Sequence, residues 1–167
     1  NESSAEEKAA LEKYIPRLWK TYNRDLQEDD LAFLRDEHQY LNVLLAELPR
    51  GDWAFTVLRQ FFISTYQHFL YQQLQQMKDA HLAAIAEKSS KEVAYHLRWS
   101  AEWVIRLGDG TEESSRRIKA ALSDLWMFTG ELFEPAAFEK EYKVMLEPLK
   151  TVWFQKVQTV FEEAGLD

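Results

Sequence analysis

The sequence predicts an all-α fold, a single antiparallel bundle of about six helices spanning residues 1–167, and three observations lead there. With 5 Gly and 4 Pro in 167 residues, the chain has too few turn formers for a sandwich or barrel. Ala, Leu, Glu, Gln and Lys, all good helix formers, are abundant. Apolar residues recur at steps of three and four, and no segment alternates with the period of two that a strand requires. The connections between periodic segments are short, which favours antiparallel neighbours. A 46% hydrophobic content, with 14% aromatic residues, is enough to bury one substantial core.

The first element opens on Ser3 and Ser4, each three residues before a glutamate (Glu6, Glu7), a capping-box pattern for a helix to about Tyr22 with Pro16 kinking it. Asp29 or Asp30 caps a second helix, whose face is Leu31, Leu34, His38, Leu41, Leu45 and Leu48, ended by Pro49, Arg50 and Gly51. Asp52 caps a third, Trp53 to about Met77, apolar around most of its circumference through Phe55, Leu58, Phe61, Phe62, Phe69, Leu70 and Leu74. It is expected to be the most buried. A fourth runs from about Ala80 to Leu107, where Gly108, Asp109 and Gly110 are expected to supply positive-φ stops. Thr111 caps the fifth, with Ile118, Leu122, Leu125, Thr129 and Leu132 on one stripe and a stop before Pro135. The sixth begins at Pro148, passes through Leu149, Trp153, Val157 and Val160, and stops at Gly165.

Charge and composition remove several function classes. A net charge of −8 argues against a phosphate-backbone binder, since nucleic-acid affinity rests on clustered Lys and Arg. No apolar run reaches the roughly 18 residues of a membrane span, and Asn1 to Lys8 are polar and acidic where a signal peptide would be basic, then apolar. The absence of cysteine rules out disulfides and thiolate chemistry and suits the cytoplasm. Serine-hydrolase, P-loop and dinucleotide fingerprints are missing.

Bundles of this kind do chemistry by aiming carboxylates and imidazoles at metal ions, and the usual di-iron arrangement needs two Glu-x-x-His pairs. Three residues before His38, His68, His81 and His96 stand Arg35, Thr65, Lys78 and Val93, so no such pair exists. The nearest approach is Glu92 with His96, whose spacing of four still allows one shared face. Ile85, Ser89, Glu92, His96, Trp99 and Trp103 lie in a line along the fourth helix, which would turn Glu92 and His96 toward the interior. Trp53 to Met77 contains no Asp or Glu, so that helix offers His68 without a carboxylate.

Two readings of these groups stand side by side. In one, Glu37, His68, Glu92 and His96 are buried polar groups matched by hydrogen bonds, with Glu92 and His96 bonded to each other, to Arg98 or to Glu37. In the other they are the remnant of a metal site or a single-metal site. Arg35, Asp36 and Glu37 read either as a solvated turn or as an ionic anchor for a neighbouring subunit. Arg98, Trp99 and Trp103 are candidate partner-facing residues, because Trp and Arg are the usual interface anchors.

Five segments carry a resemblance: LAFLRDE at Leu31–Glu37, RQFFI at Arg59–Ile63, LAAIAEKSSKEVAYHLR at Leu82–Arg98, RLGDGTEES at Arg106–Ser114 and LWMFTGELF at Leu125–Phe133. In this order they resemble the PaaC-type subunit of the bacterial phenylacetyl-CoA 1,2-epoxidase, a multicomponent monooxygenase of aerobic phenylacetate breakdown. The match is strong over Leu31–Phe133, moderate over the last helix, and weak over residues 1–28. Family members are longer, so a shortened or diverged chain is expected. The resemblance implies a ferritin-like fold and a non-catalytic structural role beside a PaaA-type subunit that carries the di-iron centre, with no cofactor in this chain. An independent di-iron or single-metal oxidase, or a storage bundle, is the alternative. Ten Phe, seven Tyr and six Trp further predict a large helical interface with that subunit, or self-association.

Overall fold

The computed structural model describes residues 33–36, 42–135 and 144–166. The chain divides into two units, 1–42 and 43–167, and the architecture below is that of the second. Its helices are α1 (Leu44–Glu47), α2 (Trp53–Leu74), α3 (Ala80–Gly108), α4 (Glu112–Leu125) and α5 (Leu146–Ala164), with a 3-10 segment, Trp126–Phe133, continuing α4. No strand occurs among the described residues.

Ring contacts and hydrogen bonds fix the helix directions. Trp53, opening α2, meets Trp99 and Trp103 near the end of α3, whereas Gln75, just past the end of α2, bonds Ser90 at 2.5 Å. These two helices are therefore antiparallel. Arg117 reaches Asp52 at the start of α2, and Trp126 meets Phe62 farther along it, so α4 and its 3-10 extension run with α2. Gln73 exchanges hydrogen bonds with the Met145 backbone at the start of α5, and Gly108 abuts Ala164 at its end, so α5 runs with α3. The result is an up-down-up-down bundle of four helices.

The caps are mostly those the sequence predicts. The Asp52 carboxylate accepts from the Phe55 N–H and the Thr111 hydroxyl from the Ser114 N–H, each satisfying a donor that the first helical turn leaves free. At Gly165, with φ of 64°, the Leu166 N–H bonds the Phe161 carbonyl and the Gly165 N–H that of Glu162. Those two bonds are the Schellman pattern, in which a left-handed glycine closes the helix.

Three expectations need correction. The helix expected from Asp29 or Asp30 to Leu48 is not continuous: Phe33–Arg35 form a turn and bend, Val43 is extended, and only Leu44–Glu47 is helical among the described residues. Leu48 is extended because Pro49 follows it, and the Leu44 N–H is bonded at 2.6 Å by the Glu131 carboxylate, a partner no local pattern reveals. The predicted first helix lies outside the described residues. Gly108 and Gly110 have no positive φ; Gly165 is the described glycine that does. Gly108 serves close approach instead, since a Cβ there would collide with the Ala164 backbone of α5. The fifth helix tightens to 3-10 geometry at Trp126, with the Thr129 hydroxyl bonded to the Trp126 carbonyl. A three-residue turn aligns Thr129 with Leu132, and both are buried.

The core is the meeting place of α2 and α5. Trp153 is fully buried, and its indole N–H bonds the Phe62 carbonyl at 3.0 Å. Around it stand Phe62 at 5.6 Å, Trp126 at 6.1 Å and Phe133 at 5.4 Å between ring centroids, with Phe61 and Phe161 extending the cluster. Such tilted and edge-on pairs add to the free energy of area burial. On α3 the buried stripe is Ala86, Val93, Leu97, Ser100, Ala101 and Val104, mostly small residues that let α2 approach. The Ser100 hydroxyl is satisfied by the His96 carbonyl at 2.7 Å. Replacing Trp153 with Ala is expected to cost about 3–5 kcal/mol, and with Phe about 1–2 kcal/mol through the lost hydrogen bond. Urea unfolding followed by circular dichroism measures both; an alanine cost under about 1 kcal/mol would remove Trp153 from the centre of the fold.

Candidate functional site

On α3 the core stripe and the predicted polar line differ by one residue, which on a helix is about 100° of rotation. Val93, Leu97 and Ser100 are buried, while Glu92 is exposed and His96 half-buried. Glu92 and His96 therefore do not form an interior pair, and no hydrogen bond or ion pair joins them. The line from Ile85 to Trp103 is the shoulder of the helix rather than its inner face. Its aromatic members dominate the hydropathy pattern, whereas the small residues that pack inside are inconspicuous in it.

His68 sits half-buried on α2, its Nε2 3.0 Å from the Gln72 side-chain amide and its ring 5.2 Å from that of Phe69. Glu37 lies outside the described residues. Among the described residues, no three His, Asp or Glu side chains gather where a metal ion could be held. The described groups thus do not fit a di-iron centre, which needs carboxylates and imidazoles converging from several helices. Arg35, half-buried, and Asp36, exposed, belong to the first unit.

Trp99 and Trp103 come together with Trp53, a residue whose place in the third predicted helix gave no sign of this role. Its ring stands edge-on to both, at 5.7 and 5.5 Å, and 48% of the residue remains exposed. Arg98 lies over the Tyr95 ring at 5.9 Å and Arg106 over the Trp103 ring at 5.5 Å. Cations laid on aromatic faces keep large apolar surfaces ordered without hiding them. The outcome is a ridge of aromatic and charged side chains along α3, flanked by the start of α2. The available sequence signal for Trp53 was its position directly after the Asp52 cap, at the exposed mouth of a helix.

A separate open cleft of about 550 Å³ lies between the Leu48–Asp52 loop and α4, lined by Pro49, Arg50, Phe55, Arg117, Asp124 and Phe128 among others. Arg117 is bonded at 2.7 Å to Glu113 and reaches Asp52 at 3.4 Å, and hydrogen bonds from Arg117 and Arg116 hold the Glu113 carboxyl below its ordinary range. These pairings fasten α4 to the cap of α2. They are solvent-exposed, so their part is orientation more than stability.

Burial lowers the His68 imidazole below its ordinary value, and the Lys156 charge acts in the same direction. The native chain consequently holds the neutral ring where the unfolded chain takes up a proton. Stability is full above the unfolded value of about 6.5 and is lost as pH falls from there through the native value. His68→Gln is expected to flatten the decline in urea midpoint between pH 8 and about pH 5. An unchanged decline would mean that other groups carry it.

Comparison with known proteins agrees with the ligand-poor bundle. Over residues 15–167 the chain matches the family described as phenylacetic acid catabolic protein. It is similar to the PaaC-type subunit of the 1,2-phenylacetyl-CoA epoxidase of Escherichia coli (strain K12), with 41% identity over 145 residues, 84% of this chain and 58% of that protein. The chain thus spans little more than half the length of that relative. The family match includes the segments around α3 and α4 that the sequence alone singles out, and the fold is all-α and ferritin-like. The chain belongs to the phenylacetic acid catabolic protein family.

Proposed function

We propose that this chain is a non-catalytic structural subunit of a multicomponent phenylacetyl-CoA 1,2-epoxidase, acting in aerobic phenylacetate breakdown by supporting a catalytic subunit that holds the di-iron centre. The observation that carries the reading is the 41% identity with a protein named as one subunit of such an epoxidase, a designation that entails other subunits. Two features of this chain support it. The sequence has no Glu-x-x-His pair, and its longest apolar helix segment, Trp53–Met77, has no carboxylate. The one-residue offset on α3 directs Glu92 outward, where it is available to a neighbour and not to an internal ion.

In this role the chemistry of the chain is mechanical. The aromatic core fixes α2, α4 and α5 against one another, and the fixed bundle presents outward-facing Trp, Tyr and Arg side chains in a set arrangement. Surfaces of that composition, held rigid before contact, lose little conformational entropy on binding. The partner in this reading is the PaaA-type homologue, which supplies metal, oxygen chemistry and the site for the thioester. A cytoplasmic location follows from that work and from the cysteine-free sequence, and no helix among the described residues is long and apolar enough to cross a membrane.

Mixing the chain with a PaaA-type subunit is expected to give a defined heteromer by light scattering, burying on the order of 1,200–2,000 Å² or more in total. The purified chain alone is expected to carry no stoichiometric iron and to show no oxygen-dependent turnover. Iron at one or two equivalents with turnover by the isolated chain would overturn the proposal and establish an independent oxidase.

A further inference from the structure

The ridge on α3 has a pattern that a single chain does not use. Glu92, Tyr95, Arg98, Glu102 and Arg106 are exposed along it, with Trp99 half-buried at its middle. Relative to Trp99, Glu92 lies seven residues toward the N-terminus and Arg106 seven toward the C-terminus. Both are two helical turns from the centre, on nearly the same bearing. Reversing the helix about Trp99 thus exchanges an acid for a base at the same height. Arg98 and Glu102 lie together on one flank of the same stripe, so in a reversed copy each comes within one turn of the other's counterpart.

From this geometry we infer that a second copy of this chain docks on the ridge, α3 against α3 in antiparallel fashion about a twofold axis at Trp99. Glu92 then stands opposite Arg106 of the second copy, Arg98 beside Glu102 of the second copy, and Trp99 against Trp99 of the second copy. By symmetry each ion pair forms twice, as an isologous interface requires. Charge complementarity favours this occupant. The ridge carries two acids and two bases and is locally neutral, although the chain as a whole has a net charge of −8 that opposes self-contact elsewhere. Within one chain these groups are poorly used: Arg106 makes a 3.9 Å exposed contact with Glu102, and Glu92 makes no hydrogen bond or ion pair. The stripe from Ile85 to Arg106 is roughly 30 Å long, and Trp53, with Trp103, widens it on the flank away from Arg98. That is enough length for a seam of interlocking side chains with charged flanks setting its register.

The inference is independent of the epoxidase reading, and its test separates the two. Sedimentation velocity of the full chain is expected to show a monomer–dimer equilibrium. Glu92→Arg alone or Arg106→Glu alone is expected to weaken association at least tenfold, because each sets like charges face to face, and the double reversal restores it. These residues are exposed, so circular dichroism should be unchanged. As a second measurement, Trp99→Cys in this cysteine-free chain is expected to oxidise to a covalent dimer. A wild-type monomer at high concentration, or association indifferent to both single reversals, would overturn the proposal. So would failure of Trp99→Cys to cross-link, or loss of the dimer on adding a PaaA-type subunit, which would assign the ridge to that partner.

Discussion

The structure depends on one buried indole. Trp153 of α5 occupies the space between α2 and the 3-10 segment, and its N–H must find an acceptor there because an unpaired donor in that setting costs on the order of 1–3 kcal/mol. It finds the Phe62 carbonyl, which already belongs to the α2 ladder but has a second lone pair. That single bond sets the height of α5 along α2. Phe62, Phe133 and Trp126 then close around the ring, and the 3-10 tightening at Trp126 is what brings Phe133 to 5.4 Å from it. The close contact of Gly108 with Ala164 repeats the constraint at the far end of α5.

An interior filled this way has little room for polar chemistry. The buried polar side chains among the described residues are Ser64, Thr65, Ser100 and Thr129, and each is bonded within its own helix. None is a metal ligand of the kind that bundle oxidases use. Function has therefore moved to the outside of the bundle, where Trp53, Trp99 and Trp103 and the arginines beside Tyr95 and Trp103 are held in place. The same aromatic residue types thus do two jobs, filling the centre between α2 and α5 and forming a ridge on α3.

Much of this was legible in the sequence. The caps at Asp52 and Thr111, the stop at Gly165, and the stripes of Ile118, Leu125 and Leu132 and of Leu149, Trp153, Val157 and Val160 follow from local rules, and the structure agrees. What was hidden depends on distant partners. Val43 ends one segment and Leu44 begins another because a carboxylate 87 positions away, Glu131, meets the Leu44 N–H. Gly108 looks like a turn residue until α5 is placed against it. The inner face of α3 was misread by one residue because periodicity weights tryptophan above alanine and serine, whereas packing between close helices selects the small ones. For the candidate site, the shortage of ligands could be counted directly, but the outward direction of Glu92 could not.

The proposed role, supporting catalysis without performing it, is tested most directly by reconstitution. A PaaA-type subunit assembled with this chain should turn over phenylacetyl-CoA when supplied with reductant and oxygen, fall to a small fraction of that rate without the chain, and carry all the bound iron when the subunits are separated. Equal turnover with and without the chain, or iron recovered with the chain after separation, would contradict that role.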